Sequence, residues 1–316
     1  MLVAYKTVQN QLEEVPWNAS LKGAWIKLIN PTPEEILQLV TTAQIPEYFF
    51  HFAADEDDCP RIILGKTCIL TIIHVPVSHG ADQYETSPLS IILTPDLTIT
   101  ISEELIQVIP DVSDGSRLSF DTTKRPQFFF QILYHADTVF LKYIRNIRRR
   151  TDELEIRLRK STDNQEVFHL LDLEKGLTYF TAALRGNVIV AETILRMRSD
   201  PQMRYLLRMQ EEDEDVLESV IIENKRALEL VQTYSEILSS MMNAFSSVIN
   251  NNLNHIMKFL ASVTIVLSIP SMVSSFWSMS LIVPWQGTEI GFWLVLMLAV
   301  TTSIVVGIIL RKKNMF

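Results

Sequence analysis

Hydrophobic and polar residues change their spacing twice along the 316-residue chain. Up to about residue 120, short β-rich runs predominate, at 24–29, 61–64, 67–75, 89–93 and 97–101. Runs of this length bounded by Pro, Gly, Asn and Asp predict strands. Thr94-Pro95-Asp96 reads as a hairpin turn between two of them. Asn30-Pro31-Thr32-Pro33 leads into a helix, with Thr32 as N-cap, Pro33 in the first position and Glu35 behind it. Strand direction does not follow from this pattern.

The stretch 111–125, carrying Asp114-Gly115 and followed by Pro126, is a polar connector. Beyond it Pro and Gly nearly vanish and helical spacing takes over. The pattern predicts amphipathic helices over 128–160 and 167–198, separated by Ser161-Thr162-Asp163-Asn164, with Asp200-Pro201 marking the next turn. From about Met203 there is no proline until Pro270, so the expectation is one helix of some 75 residues, on the order of 110 Å long. Apolar positions such as Leu228, Val231, Leu238, Met242 and Phe245 recur at steps that suit packing against partners.

The second change comes at Lys258. From Phe259 to Ser280 there are 22 positions without a charge, and 290–310 is a second uncharged stretch. Each is long enough to cross a bilayer core as a helix. A short loop with Pro284 and Gly287 joins them, and Arg311, Lys312 and Lys313 follow the second. Three segments result: an α/β part over 1–125, a helical and stalk region over 126–257, and a two-helix hairpin over 258–316. The fold class expected is an α+β membrane protein whose stalk helix continues into the first of two spans.

A polar series runs down the long helix: Asn243, Ser247, Asn250, Asn254, Met257, Ala261, Thr264, Ser268, Ser271, Ser275 and Ser278. Alternating steps of four and three keep one helix face in register. Close helix packing explains a few such residues. A series that begins in the stalk with three asparagines instead suggests a shared aqueous axis, lined by hydroxyls and amides with Met257 as an apolar collar. Hydrated cations suit such a lining, because magnesium sheds water reluctantly.

Charge refines this picture. The formal charge is −9, and the residues after Lys258 sum to +2, leaving −11 on 1–258. An acidic soluble part argues against nucleic acid as a partner. The loop between the spans has no Lys or Arg, whereas bases flank the other ends, which places both termini in the cytoplasm of a multi-pass cell-membrane protein. The first residues carry no basic-then-apolar secretory pattern. Cys59 and Cys68 suggest no disulfide framework. Arg145, Arg148, Arg149 and Arg150 precede Asp152, Glu153 and Glu155 and read as a charge-laced helix face. His74, His79 and Asp82 show no metal-site spacing. With no Walker loop, dinucleotide loop or nucleophile elbow, neither an enzyme nor an organic cofactor is expected.

The layout resembles the CorA-type magnesium/divalent-cation transporter family over essentially the whole chain. The most specific local match is Asn254-His255-Ile256-Met257-Lys258-Phe259-Leu260, similar to the family's Asn-x-x-Met-Lys-x-Leu pore entry. The resemblance implies a homopentameric funnel in the lipid bilayer, with the chain itself and divalent cations as partners and Mg2+ as transported or regulatory ion. Asn250, Asn254, Met257, Leu260, Ala261, Thr264, Ser268, Ser271, Ser275 and Ser278 would line its pore. Arg311, Lys312 and Lys313 resemble the basic collar at the cytoplasmic mouth.

Where the family has Gly-Met-Asn as selectivity filter, this chain has Ser278-Met279-Ser280. The family asparagine supplies a ring of amide oxygens. Ser280 offers an oxygen on a shorter side chain, and Ser278 lacks the backbone freedom of glycine. Family members close when cations bridge acidic groups between protomers, for which Asp55, Asp57, Asp58, Asp213, Asp215 and Glu218 are the candidates here. The readings left open are a magnesium channel, a transporter of zinc, cobalt or nickel, and a non-conducting membrane-anchored scaffold or regulator.

Overall fold

The computed structural model describes residues 1–9, 11–16, 21–43, 45–53, 59–104, 106, 108, 120–158, 165–278 and 288–313. It divides into two compact units, Met1–Ser240 and Met241–Phe316.

The first unit is built on a seven-stranded sheet. Its strands are β1 (Leu2–Val8), β2 (Gln11–Glu14), β3 (Ala24–Ile29), β4 (Arg61–Leu64), β5 (Ile69–Ser78), β6 (Tyr84–Leu93) and β7 (Leu97–Ser102). The spatial order is β2-β1-β3-β7-β6-β5-β4. Only β3 and β7 run parallel, with Ile26 opposite Ile99; the remaining neighbours are antiparallel. Thr94 makes the expected tight turn, its N–H donating to the Leu97 carbonyl and its Oγ1 accepting from Leu97 N–H, both at 2.9 Å.

Strand alternation sorts side chains to two faces. Ile26, Leu28, Leu70, Ile72 and Ile92 pack with Leu39 of α1 (Pro33–Ala43) and Phe49 of α2 (Tyr48–Ala53). The α1 start is a capping box: Glu35 N–H donates to Thr32 Oγ1 at 3.3 Å, and Thr32 N–H donates to the Glu35 carboxylate at 2.9 Å. Trp25, on the other face, donates from Nε1 to Thr100 Oγ1 at 2.9 Å and lies 5.5 Å from the Phe128 ring. That face is covered by α3 (Arg125–Leu158) and α4 (Gln165–Arg196). Phe140 and Phe180 join these two helices edge to face at 5.1 Å. Gly176 lets α4 approach β6 closely, because a Cβ there would sit 2.8 Å from that of Tyr84.

The strands differ from expectation at the polar edge and at two starts. β1 and β2 were not anticipated; they are mostly half-exposed or polar, so their hydrophobic alternation is faint. β6 begins five residues earlier than the apolar run, and β5 begins at Ile69 rather than 67. Of the polar connector expected over 111–125, residues 111–119 lie outside the described residues, as does the break at 161–164, and α3 begins at Arg125.

The single long helix expected from Met203 is instead two. α5 (Pro201–Leu207) starts at Asp200, whose carboxylate accepts from Gln202 and Met203 N–H. It stops at Arg208, which adopts a left-handed conformation at φ 53° and returns its N–H to the Arg204 carbonyl. α6 (Glu211–Trp277, 67 residues) starts afresh, with Glu211, Glu212, Asp213 and Glu214 in its first turn. Acids there oppose the positive end of the helix dipole, and Asp213 also accepts from Gln210 N–H at 2.9 Å. That acidic run was the available signal for a helix start. α6 continues through Pro270, and α7 (Glu289–Lys312) completes the second unit, capped by Thr288.

Candidate functional site

Among the described residues, α6 and α7 are the two helices long and apolar enough to cross a membrane. Within α6 the membrane-length part has two distinct faces. Ser262 is buried and Val263, Val266, Ile269, Val273 and Trp277 are half-buried, which defines a shielded seam. On α7 the buried positions are Gly291, Ala299 and Leu310, two of them small enough for close helix approach.

Asn250, Asn254, Met257, Leu260, Ala261, Thr264, Ser268, Ser271, Ser275 and Ser278 are all exposed in the single chain. At about 100° per residue the stripe from Met257 to Ser278 is centred roughly opposite the seam. The face with the small hydroxyls is therefore not the one that packs within the chain. An open groove at this level is lined by Ser268, Ser271, Met272, Ser275 and Phe276.

Four of the hydroxyls share one orientation. Thr264 donates to the Leu260 carbonyl, Ser268 to Thr264 and Ser275 to Ser271, each at 2.8 Å. In the stalk, Ser247 donates to Asn243 at 3.1 Å. The hydrogens of these four hydroxyls are engaged by the helix's own backbone, so the remaining outward capacity of their oxygens is as acceptors. The water shell of a cation points its hydrogens outward and needs acceptors. Such a surface suits a hydrated cation better than an anion.

Ser278 ends the described part of the stripe, its N–H donating to the Ser274 carbonyl at 3.0 Å. Met279 and Ser280 lie outside the described residues, as do Asp55, Asp57 and Asp58. Arg311 and Lys312 form the last turn of α7, and Lys313 is its C-cap. Asp215 and Glu218 are exposed on the first turns of α6, whereas Asp213 is half-buried and engaged as a cap. Among the described residues no group of three or more His, Cys, Asp or Glu side chains converges as a metal-ligand set.

Two polar constellations escaped sequence reading. Arg150, from the basic run, turns inward and grips Asp82 in the β5–β6 turn, with Nε to Oδ1 at 2.6 Å and a second nitrogen to Oδ2 at 2.9 Å. His169 Nδ1 of α4 lies 3.0 Å from Asp82 Oδ2. The neighbouring Arg149 instead pairs with Glu153 at the surface. The other constellation is a buried contact between Asp137 of α3 and Asn224 of α6. Neither has a local sequence signal, since the partners lie 68 and 87 residues apart.

The model of the CorA-like Mg2+ transporter protein family matches residues 21–312. The cobalt/magnesium transport protein CorA of Methanocaldococcus jannaschii is 26% identical over 317 residues, covering 97% of this chain and 95% of that protein. The complete structure of the CorA magnesium transporter from the same organism superposes with a TM-score of 0.79 at 24% identity, covering 99% of this chain and 96% of that one. The full-length CmaX protein has the same fold, with a TM-score of 0.72 at 18% identity over 98% and 97% of the two chains.

Proposed function

Since the chain belongs to the CorA-like Mg2+ transporter family, we propose that it is a homopentameric membrane channel for divalent cations, with magnesium the first candidate cargo. The observation that carries this reading is the exposed hydroxyl stripe on α6, opposite the shielded seam and presenting acceptors. Five copies around one axis would turn those stripes inward. Asn250, Asn254 and the hydroxyls from Thr264 to Ser278 would then contact the water shell of the ion, and Met257 and Leu260 would narrow the entry. Narrow apolar collars gate by excluding water.

In this arrangement 1–125 and 126–257 form the cytoplasmic part and 258–316 the membrane hairpin. Both termini lie in the cytoplasm, and Arg311, Lys312 and Lys313 surround the mouth. The protein supplies shape and acceptors but no catalytic step. Asp215 and Glu218 are the described acids open to a cation bridging neighbouring protomers, a contact that would close the channel when the ion is plentiful inside. Hard cations take oxygen ligands of this kind.

Ser278-Met279-Ser280 favours one further reading, a changed choice of ion. A serine hydroxyl projects less far than an asparagine amide, so five of them hold a hydrated ion more loosely. Uptake of Mg2+, Co2+, Ni2+ and Zn2+ into proteoliposomes, each followed by an ion-sensitive dye, tests both readings. The expected result is divalent flux in the native chain, with the Mg2+ preference increased several-fold in Ser278→Gly/Ser280→Asn. Absence of flux in both forms would make the protein a membrane-anchored scaffold.

A further inference from the structure

Three helices of the first unit bring polar side chains to one buried point. Asp137 of α3 and Asn224 of α6 are 1% and 3% exposed, and Asn224 Nδ2 donates to Asp137 Oδ1 at 2.7 Å. Asn187 of α4 reaches the same place, but it is engaged by β5. Its Oδ1 accepts from His74 N–H at 3.0 Å, and its Nδ2 donates to the His74 carbonyl at 2.8 Å. Left over are Asp137 Oδ2 and Asn224 Oδ1, both buried and without a hydrogen-bond partner. Both residues line a cavity of about 10 Å3.

An ionised carboxylate offers only lone pairs, and so does an amide oxygen. Two such oxygens at one dry point leave each other unsatisfied, which is costly in a low-dielectric interior. One proton repairs both. We propose that Asp137 is a proton-binding site, carrying a resident proton that Oδ2 donates to Asn224 Oδ1, so that acid and amide form a two-bond ring clasping α3 to α6.

The surroundings favour the neutral acid. Burial pushes the Asp137 carboxyl well above the usual carboxylate range; the Asn224 hydrogen bond opposes this, and the charge of Glu223 on α6 adds to it. The other groups around the point are apolar or already bonded: Ile73 from β5, Val190 and Asn187 from α4, and Val220 from α6. His74 takes part through its backbone. Glu223 is the one charge acting on Asp137 among the described residues. The cavity is near the lower limit for a single water, which would bridge the two oxygens and leave the acid ionised. Proton and water are thus the two rival occupants.

The sign of the pH effect follows from a folded pKa above the unfolded one of about 3.9. The clasp's contribution is complete below about pH 4 and is lost as pH rises from there through the folded pKa. The clasp holds α6, the helix that continues to Trp277, so this proton is a handle on it whatever ion the protein passes.

Infrared spectra of the full-length protein in detergent at about pH 7 give the direct test. The native chain should show a protonated-carboxyl C=O band that is absent from Asp137→Asn and moves to higher frequency in Asn224→Ala. The thermal midpoint of the native chain should fall by on the order of 5–10 °C between pH 5 and pH 8 relative to Asp137→Asn. If no such band depends on either residue and the native midpoint tracks the variant across that range, the acid is ionised, a water fills the gap, and the proposal is overturned. Asn224→Ala supplies the spectral answer should Asp137→Asn fail to fold.

Discussion

Replacing Ser271 by Phe is expected to cut divalent-cation flux by roughly tenfold or more, the factor that about 1.4 kcal/mol of added barrier produces. Ser271 is exposed, lies near the centre of the α6 stripe and lines the groove with Ser268 and Ser275. In a fivefold assembly the substitution places five phenyl rings at one level of the axis. They fill the space held by small hydroxyls and present no acceptor to the water shell. A hydrated ion must then shed water that nothing replaces, a cost well above the tenfold threshold for a divalent ion. Ile265→Phe is the matched control, because Ile265 is exposed about a quarter turn from both stripe and seam. It should leave flux within about twofold of native, since a ring meeting lipid adds little barrier. Flux assays on assemblies checked for equal mass make the comparison.

Arg150→Ala is expected to lower the stability of the first unit by about 3 kcal/mol, the low end of the range for breaking a buried ion pair. The Asp82 side chain is 8% exposed and that of Arg150 23% exposed. Removing the guanidinium takes away a two-point grip and leaves a carboxylate nearly out of water. His169 Nδ1, 3.0 Å from Asp82 Oδ2, is the polar neighbour that remains. Arg150→Ala/Asp82→Asn should recover part of the loss, because no charge is then stranded. Arg150→Lys should not restore the native value, since an ammonium cannot present two parallel donors. Denaturant titration of the native chain and the three variants measures all of these.

The legible parts of this molecule are those that depend on neighbours in sequence. The two long apolar helices each need one uninterrupted uncharged run, and the Thr32 capping box and the Thr94 turn only a few adjacent residues; each is found where the pattern places it. The 4-3 stepping of the α6 stripe was also readable, because a helix converts spacing directly into a face. What was not readable depends on partners far along the chain or on rare backbone geometry. β1 owes its existence to β3 beside it, and β2 to β1, rather than to their own weak alternation. Arg208 turns left-handed with no glycine or asparagine to announce it, so α5 and α6 merged in the sequence pattern. Within the run of arginines nothing local distinguishes Arg150 from Arg149, yet one is drawn in by Asp82 and the other stays at the surface. Asp137 and Asn224 look like ordinary polar helix residues until tertiary packing buries them together.

In the proposed channel the α6 hydroxyl stripe faces water inside the ion pathway while the opposite seam does not. Single cysteines at Ser262, Ser268, Ser271 and Ser275 test it most directly, because the four exchanges are equally conservative and differ mainly in direction around the helix. Flux into proteoliposomes is followed before and after a charged, membrane-impermeant thiol reagent, with the native chain and its Cys59 and Cys68 as baseline. The reagent is expected to block flux through the Ser268, Ser271 and Ser275 variants and to leave the Ser262 variant at the baseline. Equal insensitivity at all four positions, or block at Ser262 alone, would contradict it.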